Sequence, residues 1–77
     1  MKNIEILGNR ARIKFSKKFY KLQSLEEVIE FFGNDMEAVI SEDEFNHIVT
    51  IKTENPGEAS LEFCNAAILT MKNRGEV

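Results

Sequence analysis

The stretch Gly8-Asn9-Arg10-Ala11-Arg12-Ile13-Lys14-Phe15 decides the fold, because apolar and basic side chains alternate along it. A period of two is typical of a strand with one buried face. The apolar side chains are therefore predicted to point into the core and the basic ones away from it. Gly8-Asn9 suits a two-residue turn, and the preceding Ile4 and Ile6 alternate in the same way. The sequence predicts an N-terminal β-hairpin with a cationic outer face.

A helix is predicted next, because apolar residues repeat at the spacing of one buried stripe: Leu25, Val28, Ile29 and Phe32. Ser24 and Glu27 match a capping box, which places the start of the helix at Ser24. Gly33, followed by Asn34, is predicted to end it.

A second hairpin is predicted around the polar turn Glu42-Asp43-Glu44. The residues predicted to face the core are Met36, Ala38, Ile40, Val49 and Ile51, and His47 shares their side. Val39 and Ile48 fall on the opposite side of the same two strands. The second hairpin, like the first, is therefore predicted to bury one face.

The last helix is predicted to start at Asn55-Pro56, with an Asn55 cap closed by Glu58, and to run to about Asn73. Its apolar residues cover an arc of about 220°, roughly twice what a surface helix needs. We therefore expect part of this arc to contact something besides the sheet, which could be the first helix, a second copy of the chain in a homodimer, or a protein partner. The residues chosen for that contact are Leu61, Cys64, Ile68 and Met71.

The predicted fold class is α+β: a single two-layer ββαββα domain over residues 1–77, with a four-stranded antiparallel sheet and two helices on one face. A chain of 77 residues builds only a marginal core. Cys64 is the single cysteine, so no disulfide is possible within the chain and a reducing compartment is favoured. With no signal-peptide or membrane-spanning pattern, we expect a cytoplasmic protein that does not associate with a membrane.

Charge is divided unevenly along the chain. Residues 1–21 carry seven basic side chains and one acid, whereas residues 22–77 carry three basic side chains and twelve acids. The candidate binding cations are Arg12, Lys14, Lys17, Lys18 and Lys21, with Phe19 and Tyr20 among them. A solvated face neutralised by the acidic helices is the favoured interpretation. The alternatives are an acidic peptide or protein partner and single-stranded nucleic acid.

Catalytic motifs are missing from the sequence, and we predict neither an enzyme nor a cofactor. His47 is the sole histidine, and its position in the strand pattern favours a partly buried imidazole whose polar atoms are hydrogen-bonded. The alternative is a metal or acid–base site formed with the carboxylates of Glu42, Asp43 or Glu44. Cys64 falls in the apolar arc, where an inert thiol is expected.

Two segments resemble protein D of the His-Xaa-Ser system (HxsD). They are Phe19-Tyr20-Lys21-Leu22 with Leu25-Glu26-Glu27-Val28-Ile29, and Leu61-Glu62-Phe63-Cys64-Asn65. The first resembles an aromatic lead into a helix, and the second matches an F-x-N motif in the final helix. This resemblance implies an accessory protein that works beside radical-SAM enzymes in peptide maturation and carries no catalytic residues.

The order of elements, with Ser60-Leu61 and Asn65 in the last helix, is also similar to the small dimerising subunit of the KEOPS complex. The KEOPS complex modifies tRNA, and its small subunit dimerises and packs its last helix against a partner enzyme. Both resemblances imply a non-enzymatic subunit. The sequence thus predicts a binding protein that docks a partner enzyme or its peptide substrate, and association with RNA is the rival prediction.

Overall fold

Four strands and two helices follow one another in the predicted order ββαββα. In this computed structural model, residues 4–32 and 37–75 are described. The elements are β1 (Ile4–Leu7), β2 (Arg10–Ser16), α1 (Leu22–Phe32), β3 (Glu37–Glu42), β4 (Asn46–Lys52) and α2 (Pro56–Asn73). The α+β class and the four-stranded antiparallel sheet are confirmed.

The strands lie in the order β1-β2-β4-β3, so the two hairpins join through their second strands. β2 and β4 are central, and their register runs from Arg10 opposite Lys52 to Ser16 opposite Asn46. Both central strands alternate between buried and more exposed residues, whereas β1 and β3 contain no fully buried residue. The sheet therefore has a well-covered centre and two thinly covered edges.

The first hairpin has the predicted register and turn. Leu7 lies opposite Arg10, and Gly8 between them has a φ of 63°, a value that side chains with a Cβ rarely adopt. One positive φ at the first turn position matches a type II′ turn. The predicted faces are also confirmed, because Ala11, Ile13 and Phe15 are buried and the basic residues between them are exposed.

Helix α1 starts earlier than the capping pattern predicts. Its first residue is Leu22, and Ser24 is a buried residue inside the helix, so the predicted Ser24 cap is wrong. The chain turns tightly after β2, where the backbone N–H groups of Phe19 and Tyr20 both donate to the Ser16 carbonyl. The residue that precedes the helix is therefore Lys21, whose carbonyl accepts the Leu25 N–H, three residues before the predicted cap.

The predicted buried stripe of α1 is confirmed. Leu25 and Val28 are buried, while Ile29 and Phe32 are partly buried and pack against the core. The predicted stop at Gly33-Asn34 and the inward-facing Met36 lie outside the described residues.

The second hairpin has the predicted faces but a turn shifted by one residue. Ala38 and Ile40 pack against the core, and Val49 and Ile51 are fully buried. Glu42 is the last residue of β3, so the turn comprises residues 43–45. The Asp43 Oδ1 atom accepts backbone N–H groups from Phe45 at 2.9 Å and Asn46 at 2.7 Å, and these bonds set the position of the turn.

Helix α2 begins and ends where the sequence predicts, at Pro56 and Asn73. The Asn55 carbonyl accepts the first helical bond from the Ala59 N–H at 3.0 Å. The Asn55 side chain makes no capping hydrogen bond, so that part of the prediction is wrong. Its ψ of 71° departs from the extended backbone that capping side chains usually require.

The core lies between the sheet and the two helices. α2 packs over β1, β2 and β4 and along α1, and its central residue is the fully buried Phe63. The ring of Phe63 contacts Phe15 of β2, with centroids 5.8 Å apart. Both helices cover the same face of the sheet, and the other face is left open.

Candidate protein-docking site

Helix α2 divides its apolar residues between the core and the surface. Ala59, Phe63 and Ala67 are buried at intervals of one turn, and Met71 extends this row at 4% exposure. Leu61 is 61% exposed and Ile68 is 44% exposed. Of the four residues predicted to form a second contact, Met71 therefore lies in the core, and the other three lie at or near the surface.

Leu61, Cys64 and Ile68 form one line along the helix, which we call the α2 stripe. Their spacings of three and four residues place them on one side of the helix. With a rise of 1.5 Å per residue, the line is about 10 Å long. Cys64, half-buried between the other two, connects the exposed line with the core.

Besides the α2 stripe, the strand residue Ile6 is an exposed aliphatic residue on the helix-covered side of the sheet. It lies opposite the fully buried Ala11, so its side chain points toward the helix layer, yet it is 47% exposed. The helix that contacts β1 is α2. Ile6 is exposed because it lies on β1, which is an edge strand of the sheet. The sequence gives no signal for this strand order.

The Cys64 thiol is chemically quiet in this position. Partial burial disfavours the thiolate and raises the pKa of Cys64, so the thiol stays protonated at neutral pH. Nucleophilic attack requires the thiolate. The residue is therefore suited to packing within the α2 stripe rather than to covalent chemistry.

The five candidate cations do not form one patch. Arg12 and Lys14 are exposed on the open sheet face, whereas Lys18 and Lys21 are exposed on the connection between β2 and α1. Lys17 is half-buried, and its Nζ lies 2.8 Å from Glu42 Oε1. Arg12 lies 3.7 Å from Glu5 Oε1, and both of those side chains are largely solvated. Part of the basic charge is thus paired with nearby acids.

Two acidic side chains near β4 are held ionised by their neighbours. The hydrogen bond and charge of Lys17 lower the pKa of Glu42. Backbone hydrogen bonds from Phe45 and Asn46 lower the pKa of Asp43. Both carboxylates therefore have structural partners in the turn region.

His47 is buried, as its strand position predicts. It lies opposite Phe15 on one side and Glu42 on the other. Its Nδ1 atom is buried without a hydrogen-bond partner, so the prediction of a fully hydrogen-bonded imidazole is wrong at this atom. Among residues 4–32 and 37–75, no three His, Cys, Asp or Glu side chains converge as a ligand set. The histidine thus lies beside the core without a surrounding set of acidic groups.

The connection between β2 and α1 separates its two aromatic side chains. The Tyr20 ring packs edge-on against Phe15, with centroids 4.8 Å apart. Phe19 is 68% exposed and has Lys18 beside it. Phe45, which the sequence analysis did not single out, is also exposed in the neighbouring turn, where its carbonyl accepts the Lys17 N–H at 2.9 Å.

No family model, curated protein or solved structure matches the chain. The resemblances to the His-Xaa-Ser protein and to the KEOPS subunit therefore stay predictions. Neither helix, over the residues described, combines the length and the apolar character that crossing a bilayer demands.

Proposed function

We propose that this chain is a small non-enzymatic accessory protein that docks a partner enzyme or its peptide substrate. The observation that carries the proposal is the exposure of Leu61 and Ile68 on the α2 stripe. Because each side chain is only about half exposed, burying the rest of one of them in an interface contributes about 1–2 kcal/mol. The free thiol of Cys64 suits a reducing compartment, and we place the protein in the cytoplasm.

The occupant that best fits the stripe is a helix of the partner protein. Spacings of three and four residues are those by which two helices pack along a shared line. Leu61, Cys64 and Ile68 are all uncharged, which matches the central part of protein interfaces, where charged side chains are depleted. A second copy of the chain offers the same stripe, so a homodimer is the simplest form of this contact.

The test compares Ile68→Glu with Leu69→Glu in the full chain. Leu69 is also exposed, but lies about 100° around the helix from Ile68, so it is a matched control. We expect Ile68→Glu to abolish self-association or partner capture and Leu69→Glu to leave it intact. Sedimentation of the purified chain measures self-association, and co-purification from cytoplasm measures partner capture.

A second stripe variant, Leu61→Glu, tests whether a loss of binding in Ile68→Glu is due to misfolding. Leu61 is the most exposed residue of the stripe, so the fold should tolerate a charge there. Both stripe variants should keep the far-ultraviolet circular dichroism of the parent. The proposal is overturned if the parent is monomeric and every captured protein is retained equally by all three variants.

RNA association is a second candidate, favoured by the exposed Phe19 ring beside Lys18, with Lys21 nearby. Exposed aromatic rings stack on bases, and lysines contact phosphates. Phe19→Ala should weaken retention of a single-stranded RNA, whereas the equally exposed Phe45→Ala should not. If the parent chain retains no RNA at low salt, this candidate fails.

A further inference from the structure

The open face of the sheet carries a row of cations from its two central strands. Arg10, Arg12 and Lys14 point outward from β2, and Lys52 lies opposite Arg10 on β4. Both helices lie on the other face, so these side chains are exposed to solvent. Alternate residues of a strand stand about 7 Å apart, which makes the β2 cations a line with a regular spacing.

Acids on this face neutralise only part of the row. Glu5 pairs with Arg12 from the edge strand β1, and such an exposed pair is weak. Glu37 of β3 lies opposite Lys52. Within the described part of the chain, Arg10 and Lys14 form no ion pair, although the charge of Lys14 contributes to the lowered pKa of Asp43 in the turn after β3. The face therefore keeps positive charge available for an anionic partner.

Aliphatic side chains lie beside the cations. Ile48 of β4 is opposite Lys14 and only half-buried, and Val39 of β3 is its exposed diagonal neighbour. Among the described outward positions of the four strands none is aromatic. The face thus offers charge and aliphatic contact but lacks the stacking surface that single-stranded nucleic acid uses.

We infer that the open face binds an extended acidic segment of a partner protein. Alternate side chains of an extended chain repeat at about 7 Å, so its carboxylates match the spacing of Arg10, Arg12 and Lys14. The side chains between these carboxylates point away from the sheet. This surface is on the side of the sheet opposite the α2 stripe, and the inference stands independently of docking at that stripe.

The test measures binding of a capped peptide of alternating Glu and Val by the full chain. We expect Arg12→Gln/Lys14→Gln to weaken binding by about tenfold or more, because two of the matched charges are removed. The control, Lys18→Gln/Lys21→Gln, removes the same charge from the connection and should leave the affinity within about twofold of the parent. A Lys-Val peptide should not bind.

Three other outcomes would overturn the inference. Equal losses in the two double variants, or no binding of the Glu-Val peptide, overturn the inference. The inference is also overturned if a single-stranded oligouridine binds the parent more tightly than the Glu-Val peptide does, and if Arg12→Gln/Lys14→Gln weakens the binding of that oligouridine. Leu61→Glu should bind the peptide normally, so failure of the α2 stripe and failure of the open face are distinguishable.

Discussion

Phe63 of α2 stacks on Phe32 of α1, with ring centroids 6.1 Å apart and ring planes inclined by 18°. The same ring also reaches Phe15 in the central strand β2. One fully buried side chain thus links both helices to the sheet. In a domain this small, such a residue carries a large share of the packing that holds the two layers together.

Phe63→Ala should lower the free energy of unfolding by about 3–5 kcal/mol, because it leaves a cavity between the helices and the sheet. That loss is comparable with the whole stability of a marginal domain, so we expect a largely unfolded protein. Urea unfolding followed by circular dichroism measures it. Phe31→Ala is the matched control, since Phe31 is 80% exposed and makes an edge-on contact with Phe32, and its loss should cost no more than about 1 kcal/mol.

Gly8→Ala and Gly57→Ala should change stability in opposite directions. Gly8 has a φ of 63°, so alanine at this position is strained and should destabilise by about 1 kcal/mol. Gly57 lies in the first turn of α2 with open space around its missing Cβ, and alanine there should stabilise by about 0.4–1 kcal/mol. Thermal unfolding of both variants checks the pair. Stabilisation by Gly8→Ala would contradict the turn geometry, and destabilisation by Gly57→Ala would contradict the open space around that position.

Asp43 should make the second hairpin sensitive to acid. Its pKa is lowered below the ordinary value of 3.8, so the carboxylate stabilises the fold at neutral pH. This contribution is present above about pH 4 and is lost as the pH falls through the lower pKa of the folded state. Asp43→Ala should lower the urea midpoint at neutral pH, and the difference from the parent should shrink on acidification. A difference that is constant from neutral to strongly acidic pH would argue against the carboxylate as its source.

His47→Leu should not destabilise the protein and should gain up to about 1 kcal/mol. The substitution removes a buried Nδ1 atom that has no hydrogen-bond partner, and a buried unpaired polar group is costly. Leucine preserves the apolar contact with the core side of β4. Urea midpoints of the parent and the variant test this, and a clear loss of stability would show that the imidazole makes a contact that leucine cannot replace.

The sequence predicts local structure best where one pattern dominates. The alternation in β2 and β4 identified their buried faces, and the Leu25, Val28 stripe identified the core side of α1. The capping prediction at Ser24 failed because the helix already starts at Leu22, two residues after Tyr20, whose ring packs on Phe15. That contact joins residues of different elements, and a capping pattern does not include it.

The candidate site was less predictable from sequence than the fold. The wide apolar arc of α2 indicated a second contact, but only the packed structure separates the buried Met71 from the exposed Ile68. Ile6 was missed for a different reason, because its exposure depends on β1 being an edge strand. Likewise, Lys52 joins the cations of β2 only through the pairing of two strands that are distant in sequence.

The pairing of β2 with β4 also has a kinetic consequence. Each hairpin forms between neighbouring segments, whereas the central pairing joins residues that are 30 to 42 positions apart in the chain. Closing so long a loop costs entropy before any contact repays it. Formation of this central pairing should therefore limit the rate of folding, and substitutions along β2 and β4 should slow folding more than substitutions in either turn.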